Sequence, residues 1–165
     1  GQKALAEMSP DTPIEESIMG AVMAMKAAAD EDGAFFPLIT PEQRAELGED
    51  WNIFPTMSVV MSFDGTLIFR ALPNAEDPSK ATIEMISLLH YGKGKEPKVE
   101  REYVDNWREQ HEEHIPPLLL QDLRNMEDVQ KGMKSVGLKA LRPNPVQEVQ
   151  ISHFHKVINQ YIFGE

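Results

Sequence analysis

An α+β domain, with an antiparallel sheet in the middle of the chain and helices before and after it, is predicted from three features. Apolar residues recur at helical spacing from Thr12 to about Asp30, alternate with a period of two between Ile53 and Tyr91, and return to helical spacing in the last third. Asp64-Gly65 interrupts the alternating stretch with a hairpin signal. The chain has 165 residues, enough for one ordinary domain with a real core and too few for a multidomain enzyme.

The elements follow in order. Pro13 near a helix start, Glu15 and Glu16 in the first turn, and Ile14, Ile18, Val22 and Met25 on one face make the first helix. Met19, Met23 and Met25 could line an apolar cavity, although Met at this spacing is more often simple core. Thr40 ahead of Pro41 and Gly48 after Leu47 bound a short second helix. Met57, Val59, Met61 and Phe63 alternate with Thr56, Ser58, Val60 and Ser62, and the hairpin leads into a partner strand, Thr66 to Leu72. A turn rich in Pro, Asn, Asp and Ser then precedes a third strand, Ala81 to Tyr91. At least three strands are expected. A charged helix is predicted over Val99 to His114, ended by Pro116-Pro117. Two further helices are expected, over Leu118 to Ser135 and in the stretch from Pro145 to Gly164, the last with Val149, Phe154, Val157, Ile158 and Tyr161 as a broad apolar face.

Composition removes several classes of function. Sixteen basic residues against 27 acidic ones, a formal net charge of −11, argue against nucleic acid as a partner. Without cysteine the chain has no disulfide, thiolate zinc site, iron–sulfur ligand or thiol nucleophile of its own, so any metal must rest on His and carboxylates. No apolar run is long enough to span a bilayer, and the N-terminal stretch lacks the pattern of a signal peptide. A soluble, cytoplasmic protein is expected.

The helix over Leu118 to Ser135 carries the most information. Leu119, Leu123, Met126, Val129 and Met133 form its apolar stripe, and Asp122 falls on that same face. The expectation is a carboxylate on the buried side, where a charge must be paired, protonated or bound to a metal. The bland reading is a buried Asp bonded to backbone N–H groups or to a basic partner.

These residues resemble a family. Gln121-Asp122, Asn125, the run Val129-Gln130-Lys131-Gly132-Met133, a turn at Ser135 to Gly137 and a final helix containing His153-Phe154-His155 closely resemble the C-terminal end of the large (alpha) subunit of Rieske non-haem iron ring-hydroxylating oxygenases. Upstream, Phe54-Pro55 at a strand start, the hairpin, Phe69-Arg70 with Pro73, and Asp77-Pro78 look like the same family's motifs in the same order. The resemblance covers about Asn52 to Phe163. It implies a helix-grip domain of the START/SRPBCC type, an antiparallel sheet around a long C-terminal helix, incomplete in this chain.

The resemblance assigns Asp122 to the carboxylate of a two-His-one-carboxylate iron site, a donor set suited to mononuclear Fe(II) with positions left open for dioxygen. Gln121 and Asn125 would orient its oxygens. Phe54, Met57, Val59 and Met61 on the sheet, facing Leu118, Leu119 and Met126, would line the substrate pocket, with Phe35 and Phe36 as further candidates. The implied substrate is an aromatic or related apolar compound, and the implied reaction is hydroxylation or dihydroxylation with dioxygen and electrons from a Rieske 2Fe–2S cluster. The implied partners are a ferredoxin or reductase as electron donor and further subunits, in a homo-oligomer (a trimer) or with a small beta subunit.

The departures from the family are equally specific. The five histidines are His90, His111, His114, His153 and His155, and no two are separated by four intervening residues. The family's His-x-x-x-x-His pair and Rieske Cys-His pairs are therefore not in this chain. Residues 1–165 are expected to be the C-terminal portion of one catalytic domain, with the Rieske domain and the His-x-x-x-x-His segment absent, and the chain alone should not turn over. His111-Glu112-Glu113-His114 could share a metal at i, i+3, but it lacks the zinc-protease spacing and reads better as a solvated helix end. His153 and His155, two apart on a helix, cannot chelate together and suit core hydrogen bonding. Two other functions remain open on the residues: a helix-grip module that binds an apolar ligand without redox chemistry, and an assembly domain using the acidic Val99–His114 helix.

Overall fold

The computed structural model describes residues 9, 11–37, 39–109, 115 and 117–164. The chain divides into two units, Gly1–Pro97 and Lys98–Glu165.

In the first unit, helix α1 (Ile14–Asp32) ends at Gly33, whose φ of 71° gives the left-handed cap that glycine adopts without strain. A two-residue strand β1 (Ala34–Phe35) follows. Helix α2 (Pro41–Leu47) opens with a reciprocal cap: the Gln43 amide donates to Thr40 Oγ1 at 3.2 Å, and the Thr40 amide donates to Gln43 Oε1 at 2.9 Å. Then come β2 (Asp50–Ile53), β3 (Met57–Met61), β4 (Gly65–Pro73) and β5 (Ala81–Tyr91). They form one antiparallel sheet in the order β1-β5-β4-β3-β2. The predicted strands are present, and β1 and β2 add to them. Both are too short to display an alternation.

Gly65 starts β4 without a positive φ, so the reason for a glycine is closeness rather than turn geometry. A Cβ there would lie 2.3 Å from the carbonyl oxygen of Leu88 on β5. The turn is closed by Ser62, whose amide donates to the Gly65 carbonyl at 3.0 Å and whose hydroxyl donates to Asp64 at 2.6 Å. Between β4 and β5, Asn74 Oδ1 accepts from the amides of Glu76 and Asp77, both at 2.9 Å. Arg70 and Glu84 are register partners across these strands, with Arg70 Nε donating to Glu84 Oε2 at 2.6 Å. A small core joins Ala29, Ala34 and Phe36 to Val22, Met25, Phe63 and Tyr91. β1 pairs with the last two residues of β5, His90 and Tyr91.

In the second unit, residues 98–106 are not helical, and a single 3-10 turn occupies Trp107–Glu109. This corrects the expected Val99–His114 helix over its described residues. Val99 and Tyr103 are both more than four-fifths exposed, and charged residues surround them, so no apolar stripe is available to hold a helix against anything. His111 to His114 lie outside the described residues. Helix α3 (Pro117–Met133) and helix α4 (Val149–Phe163) follow. Asn144 prepares α4 by accepting the amides of Val146 at 2.9 Å and Gln147 at 3.0 Å, which delays the helix to Val149. The order, an antiparallel sheet and then helices ending in a C-terminal one, is the predicted α+β class and agrees with a helix-grip-like domain.

Candidate functional site

Asp122 lies in the second turn of α3. It is exposed, which corrects the expectation of a carboxylate on the buried side. The buried residue of this helix is Leu120, 3% exposed, with Leu123 half-buried, whereas Met126, Val129 and Met133 are 48%, 47% and 55% exposed. At about 100° per residue, Leu120 is about 160° around the helix from Asp122. The covered face is therefore nearly opposite the Asp122 face. The predicted stripe splits: its first part, Leu119 and Leu123, is half-buried, and its second part is open.

That open face carries a shallow depression of about 400 Å³ lined by Asp122, Asn125, Met126, Val129, Gln130 and Met133. Asp122 and Asn125 are one helical turn apart, so an amide and a carboxylate share a mostly apolar surface. The Asp122 side chain has no hydrogen bond or ion pair to any described residue and is exposed, so the buried, internally satisfied Asp of the bland reading is not what the described residues form. Gln121 does not line the depression. Val129, Gln130 and Met133 are lining residues that the site prediction omitted, although their spacing of seven, eight and eleven from Asp122 was readable.

The candidate lining residues divide between the two units. In the first, Met57, Val59 and Met61 are half-buried, as is every residue of β3, so the alternation does not separate a covered face from an open one. Met61 Sδ accepts from the Thr66 hydroxyl at 3.5 Å. Phe54 is exposed, Phe36 buried and Phe35 exposed, with the Phe35 ring edge-on to His90 at 5.3 Å. In the second unit, Leu119 is half-buried, Met126 is in the depression, and the Leu118 side chain lies outside the described ones. His153 and His155 are exposed rather than in a core, and His155 meets Phe154 edge-on at 5.8 Å.

Among the described residues, no three His, Cys, Asp or Glu side chains are close enough to share a metal ion. Asp122 is thus a single donor, and the described residues do not complete an iron site by themselves. The back of α3 holds a second polar cluster that sequence reading missed. Trp107 Nε1 donates to Glu127 Oε1 at 3.1 Å, Arg108 pairs with the same carboxylate, and the Arg108 guanidinium lies 4.7 Å from the Trp107 ring centroid. No periodicity predicts a contact across 19 or 20 residues.

The chain matches the profile of the ring hydroxylating alpha subunit (catalytic domain) family over residues 11–164. The chain belongs to this family. Ring-hydroxylating alpha-subunit catalytic domains are oxygenase domains, and the family carries non-haem iron. The matched residues include both the sheet of the first unit and the Asp122 helix of the second. Comparisons with curated proteins and with solved structures returned no match. No described helix of this ring-hydroxylating domain is long and apolar enough to cross a membrane.

Proposed function

We propose that this chain is the carboxylate-bearing portion of the catalytic domain of a ring-hydroxylating oxygenase, and that Asp122 is the carboxylate ligand of its mononuclear iron. The observation that supports this is Asp122 itself: a carboxylate without a described partner, beside Asn125, on the most apolar open face of α3. With no described side chain engaging it, the Asp122 carboxylate has both oxygens available to accept a ligand. Iron bound there with two imidazoles would supply open coordination positions for dioxygen next to an apolar substrate. The imidazoles come from a His-x-x-x-x-His segment of the parent protein, and electrons come from its Rieske 2Fe–2S cluster, fed by a ferredoxin or reductase. In the iron-bound parent, Asn125 orients the Asp122 carboxylate, while Met126 and Leu119 of the same helix exclude water from an aromatic or related apolar substrate. The parent is a cytoplasmic oligomer, a trimer or an assembly with a small beta subunit. Residues 1–165 alone are inactive and hold iron weakly, at well under one iron per chain after dialysis.

The test uses the parent carrying both imidazoles. Asp122→Ala removes one of three protein ligands, so iron content and product formation collapse while the Rieske absorbance persists. Retention of mononuclear iron in that variant would overturn the assignment, and binding of an apolar ligand by a wild-type parent that holds no iron would favour the non-redox binding module. Asp128, paired with Lys131 at 3.1 Å, is the control on the same helix, and its replacement leaves iron and turnover unchanged.

A further inference from the structure

Helix α3 has an unusual balance of faces. Met126, Val129 and Met133 stand about half exposed, and rotating the helix to cover them would remove apolar area from water. Something must hold the helix against that rotation. Leu120 and Leu123 anchor the covered side in the first two turns. Beyond Leu123, the described contact on that side is Glu127, about 140° around the helix from Asp122. Its side chain is 34% exposed and receives both the Trp107 indole N–H and the Arg108 guanidinium.

We propose that Glu127 is a positioning residue: gripped by Trp107 and Arg108, it fixes the rotation of α3 so that the Asp122–Met133 face stays open. Two donors from consecutive residues converge on one carboxylate, so the 3-10 turn and the helix are joined at two points, and the guanidinium also stacks on the indole, which holds the two donors to each other. One ion pair at a half-exposed site would hold little. A bidentate clamp with a fixed aromatic partner constrains direction, which is what opposing a rotation requires. The importance of the clamp for catalysis rests on the reading of Asp122 given above, but the clamp is tested without iron.

The chain contains no cysteine, so single cysteines report on one position at a time. Met126→Cys probes the open face, and Arg124→Cys, about 160° from it, probes an exposed position on the other side. In the full chain, adding Glu127→Ala should slow thiol labelling at position 126 about fivefold while leaving position 124 unchanged. Glu127→Gln, which retains an acceptor for the indole, should restore part of the rate. Unchanged labelling at 126 overturns the proposal. Faster labelling at both positions also overturns it, because Glu127 would then only be stabilising the unit. The iron content of the Asp122→Ala parent reads the ligand assignment separately, so either can fail alone.

Discussion

Strand β4 and helix α3 are held by opposite means. All nine residues of β4 have partners in β5, and five of the positions on β3 pair with it on the other side, so backbone bonds dictate where each side chain faces. A helix satisfies its own backbone, and nothing in that ladder says which side faces the neighbour. For α3 that choice depends on a few side chains: Leu120, Leu123 and Glu127. A strand's orientation is therefore distributed over many bonds, while a helix's can rest on one residue.

The sharpest way to break this contrast is at Gly65. Because a Cβ added there would meet a backbone carbonyl oxygen at 2.3 Å, Gly65→Ala should cost about 4 kcal/mol in urea unfolding, as the β4–β5 pairing must separate locally. A loss under about 1 kcal/mol would show that β5 yields easily. Next in size is the contrast along α3. Leu120→Ala should cost about 3 kcal/mol, while Met126→Ala, on the open face, should stay within about 0.5 kcal/mol. Equal losses would mean that the covered face has been misplaced. Breaking the cross-strand pair with Arg70→Ala should cost about 0.5–1 kcal/mol, because both partners remain more than a third exposed.

The smallest effect concerns acid. The Glu42 carboxyl is held below its ordinary value of 4.5 by its backbone hydrogen bond at the start of α2 and then by the Thr40 hydroxyl. A lowered folded-state value means that its contribution is present above the ordinary value and is lost as pH falls through the lowered one. Thr40→Ala should move the Glu42 titration upward, read by NMR, and weaken the α2 cap by about 1 kcal/mol.

Most elements were legible from the sequence because their signals are local. The β3–β4 hairpin, β5, the Thr40 cap and the Gly48 end of α2 each follow from neighbouring residues. The charged stretch from Val99 failed as a helix because charge pattern alone gives no face to pack. At the candidate site, helical spacing put Asp122 and Met126 on one face, and both line the depression; Asn125, which also lines it, was named only beside Gln121 from the family resemblance. The same spacing pointed that face toward a core, since it cannot know that Leu120 rather than Met126 is covered. The Trp107–Arg108–Glu127 cluster was invisible for a related reason: it joins residues that no period connects.

β5 is paired with β4 from Ala81 to Leu89 on one side and, on the other, meets β1 at His90 and Tyr91. From Ala81 to Leu89, amides that point toward β4 are engaged, and those that point away have no strand partner among the described residues. In an antiparallel strand these two orientations alternate. Exchange with heavy water should therefore beat in twos along β5, slow and fast at successive residues, and become uniformly slow wherever another chain has laid a strand along that edge.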